Sequence, residues 1–410
     1  MSSIFRIKDK LFYGWVVLAS IIPFSFITMG VNTSFGVFFK SFEGTFHLTR
    51  ATTSAILSGR TVFSCVFAFI GGWAIDRYGP KIVISVMGFF IGLSLILTAQ
   101  TSSAWQLFIT YSLFLAIGIG AAYPVTTSTI LRWFDRKRGL ALGISGSGGG
   151  LGTAFVAPFT AYLIDCFEWR NTLMILGVIA WLVILPVALL MKRDPCKIDA
   201  LPDGVSPIYQ TSEAPQGATP LQKISLFEIF RAKNFWSFLF VWLLMAFCSY
   251  FVMAHIVPHA IDLGFSAIES ATILSLSGAS MIAGRFISGI ITDRLSAKGV
   301  AIICSLLQGT AFLWLMWAQK LWMLYLFGLV HGFTWGGFGT AITVLIGRSF
   351  GLYDIGKILG ALEIGIFIGA TVAPFLGGLI FDLSNSYSLA FLIMAGTIPI
   401  RILLVIRIKR

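Results

Sequence analysis

The 410-residue chain is too apolar to be a water-soluble protein. Hydrophobic residues make up 57% of it and charged residues only 11%, whereas about a quarter of the residues in a soluble domain are charged. No globular core could bury so much apolar sequence, so lipid must be the solvent for most of the chain. The net charge of +12 therefore reports on membrane topology and not on nucleic-acid binding.

Twelve apolar segments, each near 20 residues or longer, are long enough to cross a bilayer. They begin close to Gly14, Ala51, Ile82, Trp105, Gly139, Asn171, Phe235, Ala267, Val300, Leu321, Ile355 and Ser388. Between Lys192 and Pro220 the pattern changes to a polar sequence rich in Pro, Asp, Ser and Gly, which is typical of a flexible linker. We therefore predict an all-α membrane protein of twelve transmembrane helices. Its parts are an N-terminal six-helix bundle (1–191), a cytoplasmic linker with a short surface helix (192–234) and a C-terminal six-helix bundle (235–410).

The basic residues sort to one side of these segments. Of 29 lysines and arginines, 23 fall on the side of the termini, among them Arg401, and 4 on the other side. The positive-inside rule then places both termini in the cytoplasm of a multi-pass protein of the inner or plasma membrane. Arg60 and Arg285 remain within the membrane. We expect Arg60 to snorkel to the outer boundary; the alternative is that it lines an outer vestibule.

The two halves of the chain repeat each other. A shift of 217 residues aligns Asp76-Arg77 with Asp293-Arg294, and a shift of 216 lays residues 156–159 (VAPF) on residues 372–375 (VAPF). Several matches in register indicate an internal duplication. Two pseudo-symmetric bundles related by an axis along the membrane normal are suited to alternating access, with the site between them near the midplane.

Arg285 is the residue around which this site is predicted. It lies eight residues before Asp293, where the eighth segment leaves the lipid, which is about 12 Å from the edge of a core about 30 Å thick. A charge at that depth costs about 3 kcal/mol on the insertion scale, so it should face a cavity and a partner. The alternative is an arginine satisfied by carbonyl groups or by an acidic side chain of the protein.

Residues 71–81 (GGWAIDRYGPK), between the second and third spans, resemble the signature loop of the major facilitator superfamily, with a weaker copy at residues 289–294 (GIITDR). The resemblance implies a twelve-helix transporter whose bundles are latched together at the cytoplasmic face. The predicted gating residues are Gly72, Asp76, Arg77, Gly79, Lys81, Asp293 and Arg294. The alternative is a charged turn that only enforces topology.

Three further motifs resemble the monocarboxylate transporters and the related oxalate/formate antiporters: residues 13–15 (YGW), 36–40 (GVFFK) and 132–143 (RWFDRKRGLALG). The resemblance implies a substrate-binding arginine in the eighth span, followed four residues later by glycine. Arg285 and Gly289 match this pattern, and the planar fork of a guanidinium suits a carboxylate.

The chain departs from that family at two positions that belong to proton coupling. The aspartate expected one turn before the arginine is Met281, and the lysine expected in the first span is Thr33. Coupling therefore uses another group, or the protein exchanges anions.

Five other residues are candidates for the site. The resemblance implies a substrate-facing tyrosine near Tyr123. His331 and His255 could donate to a carboxylate or carry a proton, Trp335 could form a cavity wall, and Glu363 is a second candidate for coupling. The alternatives are packing for Tyr123, satisfied core histidines, a lipid-facing Trp335, and a salt-bridge role for Glu363.

We predict a secondary active transporter of small monocarboxylates or related organic anions, either proton-coupled or anion-exchanging. The alternative is a major facilitator of another small solute, of the drug, sugar or amino-acid type, in which Arg285 is structural. No catalytic grouping, metal-ligand spacing or nucleotide loop occurs in the sequence, so we expect neither an enzyme nor a cofactor or metal. The expected partners are the anion, protons and the lipid bilayer, with no nucleic acid, and we expect a monomer.

Overall fold

The computed structural model describes residues 12–134, 138–193, 233–294, 296–350 and 355–408, and the regular elements within these ranges are helices. We number the spans in chain order. In the N-terminal half the first span is Tyr13–Thr33 continued by Phe35–Phe46, the second Arg50–Tyr78, the third Pro80–Ala99, the fourth Ala104–Leu107, Phe108–Phe114 (a π-helix), Leu115–Ile119 and Ala122–Trp133, and the fifth and sixth together Arg138–Leu190. In the C-terminal half the seventh span is Lys233–Asp262, the eighth Ala267–Arg294, the ninth Ala297–Leu315, the tenth Leu321–Phe350, the eleventh Ile355–Ser384 and the twelfth Ser388–Arg407.

The number of spans agrees with the sequence prediction. Eleven helical stretches of the described residues are long and apolar enough to cross a membrane. One of them, Ala141–Leu190, has 50 residues, and its backbone breaks at Glu168, where φ is 64° and ψ 162°. Since about 20 residues suffice for one crossing, this stretch supplies two spans and the total is twelve.

Local sequence accounts for where the second span begins and ends. The Thr49 side chain accepts the backbone N–H of Thr52 and caps its first turn. The span ends at Gly79, whose φ of 81° is strained for any residue with a Cβ. Pro80 is the first residue of the third span. Its missing N–H costs no hydrogen bond there, because the first N–H groups of a helix have no partner within the helix.

Each half of the molecule has its own apolar core. One cluster of buried residues, which includes Phe24, Phe35, Tyr111 and Trp133, is built almost wholly from the first six spans. Two further clusters are built mainly from the seventh to twelfth spans. Most of the linker predicted over 192–234 lies outside the described residues, and the three domain boundaries stay a prediction.

Two arginines occupy positions that the sequence analysis assigned wrongly. Arg401, which the charge count placed at the cytoplasmic end, is 0% exposed, and its guanidinium lies 4.5 Å from the ring centroid of Phe338. Arg60 is 4% exposed and donates to Asn32 instead of snorkelling. Packing among the helices, and not lipid depth, decides where these two charges lie.

Candidate functional site

The Arg285 side chain reaches from the C-terminal half toward the N-terminal half. It is exposed, although Met281 and Ser288 on the same span are buried. Across the interface lies Gly146 of the fifth span, where an added Cβ would be 2.6 Å from the Arg285 Nη1 atom. Within the described part of the chain Arg285 forms no hydrogen bond or ion pair. The guanidinium therefore faces the space between the halves with its donors available.

Tyr123 and Glu363 lie near this guanidinium. Tyr123 belongs to the fourth span, is 56% exposed, and lies within electrostatic range of both Arg285 and Glu363. Glu363, in the eleventh span, is half-buried and also lies within range of Tyr250. Three of the predicted site residues, Arg285, Tyr123 and Glu363, are thus brought together from both halves of the molecule.

The space around Arg285 is open toward one end of the bundles, which we call the Gly79 end. Near this end a Cβ built on any of three glycines would meet no atom of the described residues within 4 Å: Gly72, Gly143 and Gly289. Farther from it the fifth and eighth spans touch, since a Cβ on Gly150 would lie 2.6 Å from Ile282 and a Cβ on Gly278 would lie 2.8 Å from Ala154. Among the described residues, the interface is therefore packed from mid-depth toward the Arg50 end and open beside these three glycines toward the Gly79 end.

The opposite end, which we call the Arg50 end, is closed by ion pairs between the halves. Asp262 at the end of the seventh span accepts Arg50 Nη2 at 2.5 Å and Lys40 Nζ at 2.6 Å. Glu43 of the first span lies 3.3 Å from both basic groups. Arg50 is only 4% exposed, so solvent screens its bonds weakly.

A second acid crosses the interface at the same end. Asp382 of the eleventh span accepts the backbone N–H groups of Arg50 and Ala51 at 3.0 and 2.8 Å. These are among the orphan donors at the start of the second span, so the carboxylate caps a helix of the other half and complements its dipole.

His255 belongs to this closed end and not to the Arg285 cavity. Its Nδ1 atom lies 3.0 Å from the hydroxyl of Tyr387, which in turn accepts Arg50 Nη1 at 2.8 Å. Its Nε2 atom lies 2.8 Å from the carbonyl oxygen of Pro374. The structure thus places His255 in the network that joins the halves.

His331 and Trp335 lie in the tenth span. His331 is 4% exposed, stacks on Phe327 with ring centroids 5.5 Å apart, and has Nδ1 3.4 Å from the amide nitrogen of Gln308. Trp335 is half-buried, 6.4 Å from His331 between ring centroids, and packs against the C-terminal core. The structure does not bring His331 into contact with Arg285, and the roles predicted for both residues stay predictions.

The predicted latch lies at the Gly79 end. Arg77 lies over the rings of Trp73 and Tyr78, at 5.6 and 5.7 Å from their centroids, and Lys81 is exposed. Gly72 has open space beside it, and Gly79 forms the turn. Three of the named gating side chains lie outside the described part of the structure: Asp76, Asp293 and Arg294. The latch therefore stays a prediction.

Sequence reasoning missed the network at the Arg50 end. A signal was available, because Asp262 and Asp382 stand at the ends of two C-terminal spans and Arg50 at the start of an N-terminal one. All three positions fall on the same side of the membrane when the spans are counted. Counting spans does not show which side chains are close enough to pair across the interface.

Comparison with known proteins places the chain in a family. The sequence profile of the Major Facilitator Superfamily matches residues 21–299 and 262–409. The chain belongs to the major facilitator superfamily. The predicted fold of two six-helix bundles is thereby confirmed.

Curated relatives within the superfamily are monocarboxylate transporters. Monocarboxylate transporter 12 of Homo sapiens is 25% identical over 400 residues, which cover 93% of this chain and 77% of that protein. Monocarboxylate transporter 13 of Rattus norvegicus is 24% identical over 384 residues, covering 93% and 85%. These relatives are transporters, and the chain is a superfamily transporter and not an enzyme.

Solved structures agree on the fold. The D-xylose-proton symporter superposes with a TM-score of 0.78 at 13% identity, covering 97% of this chain and 98% of that one. A bacterial homologue of the human lysosomal transporter Spinster, in an inward-facing and occupied conformation, gives 0.72 at 15% identity, covering 98% and 95%. At these identities the similarity concerns the fold alone.

Proposed function

We propose that this protein is a secondary active transporter of small monocarboxylates or related organic anions that works by alternating access. The observation that carries the proposal is Arg285: an exposed guanidinium at mid-depth, between the halves, with no acidic partner among the described residues. A charged side chain within a membrane span that faces an open cavity marks a substrate pathway by default, and an anion is the ligand that would neutralise this one. The monocarboxylate transporter relatives support the same class of substrate.

Two side chains, Arg285 and Tyr123, have separate roles in this proposal. Arg285 neutralises the carboxylate through two parallel N–H bonds, a geometry that a guanidinium offers and an ammonium does not. The Tyr123 hydroxyl, on the opposite half, orients the anion. Because the two residues belong to different halves, an anion bound by both would hold the halves together and couple its own binding to closure.

The orientation of the chain is part of the proposal. With both termini in the cytoplasm, as the distribution of Lys and Arg indicates, the Gly79 end is cytoplasmic and the Arg50 end faces outward. The structure is then open to the cytoplasm and closed outside. Transport requires the Arg50 network to break and the Gly79 end to close.

Uptake into proteoliposomes tests the proposal. Labelled lactate, pyruvate, oxalate and formate are offered to the full-length protein with and without a pH gradient. We expect specific uptake of at least one of them, and a loss of about a hundredfold in Arg285→Ala, because a bidentate charge-assisted contact contributes about 3 kcal/mol.

Arg170→Gln is the matched control. Arg170 donates to the carbonyl oxygens of Ala99 and Thr101 at the Arg50 end, so this variant loses a positive charge away from the cavity and should keep its uptake. Specific uptake of a neutral or cationic solute, with none of the four anions carried, would reject the anion proposal. It would favour the alternative of a transporter for another solute with a structural Arg285.

A further inference from the structure

Arg60 is a second arginine within the membrane, and nothing in the proposed function uses it. It lies ten residues into the second span, about 15 Å from the Arg50 end at 1.5 Å per residue, and is 4% exposed. Its Nη1 atom donates to Asn32 Oδ1, whereas its Nε atom is buried without a hydrogen-bond partner among the described residues. No carboxylate of the described residues forms an ion pair with it. The protein therefore buries a charge here without neutralising it.

The side chains around Arg60 are neutral hydroxyl and amide groups, which can donate as well as accept hydrogen bonds. The hydroxyls of Tyr111 and Tyr250 lie within electrostatic range of the guanidinium, and the Tyr111 hydroxyl is itself buried without a partner. In the part of the chain that the structure describes, the Asn32 amide nitrogen donates to the sulfur atoms of Met29 and Met253, at 3.8 and 3.7 Å, and thioether sulfur is a weak acceptor. Unsatisfied buried donors of this kind are the groups that an oxyanion would satisfy.

This cluster lies where the two halves meet. Asn32, Arg60 and Tyr111 belong to the N-terminal half, while Tyr250 and Met253 belong to the seventh span. The contact is tight nearby, since a Cβ at Gly36 would lie 2.7 Å from the Met253 carbonyl oxygen. An alternating-access protein that opens at the Arg50 end must separate this interface, and Arg60 would then face the incoming solution.

We propose that Arg60, with Tyr111 and Tyr250, forms a second carboxylate-binding site, sealed in the present state and exposed when the Arg50 end opens. This second site rests on the proposed function, because its ligand would be the transported organic anion. An anion entering from the Arg50 end would meet Arg60 first and Arg285 deeper in the membrane. The two arginines would act in sequence. Arg60 lies ten residues and Arg285 eighteen residues from the Arg50-end starts of their spans, a difference in depth of about 12 Å or two helical turns.

Thiol labelling beside the cluster tests this site without requiring transport. Met253→Cys places a thiol next to Asn32 in the full chain. The purified protein is treated with a neutral maleimide, and modification at position 253 is read by peptide mass spectrometry. We expect slow labelling that oxalate, formate or lactate slows further. In Arg60→Gln the half-protecting anion concentration should rise about tenfold or more, because a hydrogen bond to a charged group contributes about 1.5 to 3 kcal/mol.

Two companion variants and one control separate this site from the Arg285 site and from folding effects. Tyr111→Phe removes a single oxygen and should weaken protection in the same direction. Arg285→Gln should leave protection at position 253 in place, although its transport is lost. Arg170→Gln should leave both protection and transport unchanged.

The second site is rejected by any of three results: no labelling at position 253, labelling that none of the three anions slows, or protection that survives Arg60→Gln. Protection that disappears in Arg285→Gln alone would likewise reject it. The proposed function is judged separately, by whether Arg285→Ala abolishes anion uptake. Either proposal can fail while the other stands.

Discussion

The Arg285 guanidinium packs against Gly146, which has no side chain. Any larger residue at position 146 would occupy the space that the guanidinium fills. Sequence reasoning could place Arg285 at mid-depth, because depth follows from counting residues along a helix. It could not pair Arg285 with Gly146, because that contact depends on how the fifth and eighth spans cross. The same limit explains Arg401, whose position in the sequence is close to the end of a span but whose side chain turns into the C-terminal core.

Substituting Gly146 should weaken anion binding without touching the arginine. In Gly146→Val the new side chain would begin 2.6 Å from Nη1 and displace the guanidinium. We expect the KM for anion uptake to rise about tenfold, because the displaced guanidinium would lose one charge-assisted hydrogen bond to the anion. Gly143→Val is the control, since a Cβ there meets nothing within 4 Å. Equal effects of the two variants would show that helix strain, and not the arginine, is responsible.

Glu363 is one of the two candidates, with His331, for coupling transport to protons. It is half-buried within electrostatic range of Tyr123, so its charge state can influence the site that holds the anion. We expect Glu363→Gln to abolish the stimulation of uptake by external acid while exchange of internal for external anion continues. His331→Gln is the comparison, because His331 is packed against Gln308 inside the C-terminal half. Acid stimulation that is unchanged in Glu363→Gln and lost in His331→Gln would assign coupling to the histidine.

At the scale of the elements, the spans follow from the sequence and their ends explain the closed state. Apolar length predicted twelve helices, and Gly79-Pro80 marks the turn after the second span. Sequence patterns could not predict that Asp382 of the other half caps the start of the second span. A cap from the same segment, such as Thr49, leaves a local signature, whereas a cap from 331 residues away leaves none.

Removing the shared acid of the closed end should favour the other state. Asp262 accepts from both Lys40 and Arg50, so Asp262→Asn removes both of these ion pairs between the halves, while Glu43 stays paired with the same two basic groups on the N-terminal side. We expect a shift of about 1 to 2 kcal/mol toward opening of the Arg50 end. The measurement is the rate of maleimide labelling at Met253→Cys, which should rise about tenfold.

Asp165→Asn is the control for this test. Asp165 is exposed near the break at Glu168 and forms no ion pair in the described part of the chain, so its removal should not alter labelling. A labelling rate that stays the same in Asp262→Asn would mean that the ion pairs do not hold the Arg50 end closed.

At the scale of the whole molecule, the two halves meet in a packed interface at one end and separate at the other. The internal duplication visible in the sequence predicted the two halves, because matched bundles around a shared axis suit alternating access. The sequence could not predict which end would be open. Both states use the same residues, and the difference lies in contacts between the halves such as Asp262 with Arg50.

Equilibrium binding of a carboxylate to the purified full-length protein tests the central claim most directly. Calorimetric titration with lactate, formate and oxalate should detect saturable binding of at least one anion, with a Kd raised about a hundredfold in Arg285→Gln and unchanged in Arg170→Gln. Binding that is equally tight in wild type and Arg285→Gln would contradict the assignment of Arg285 as the anion-binding residue.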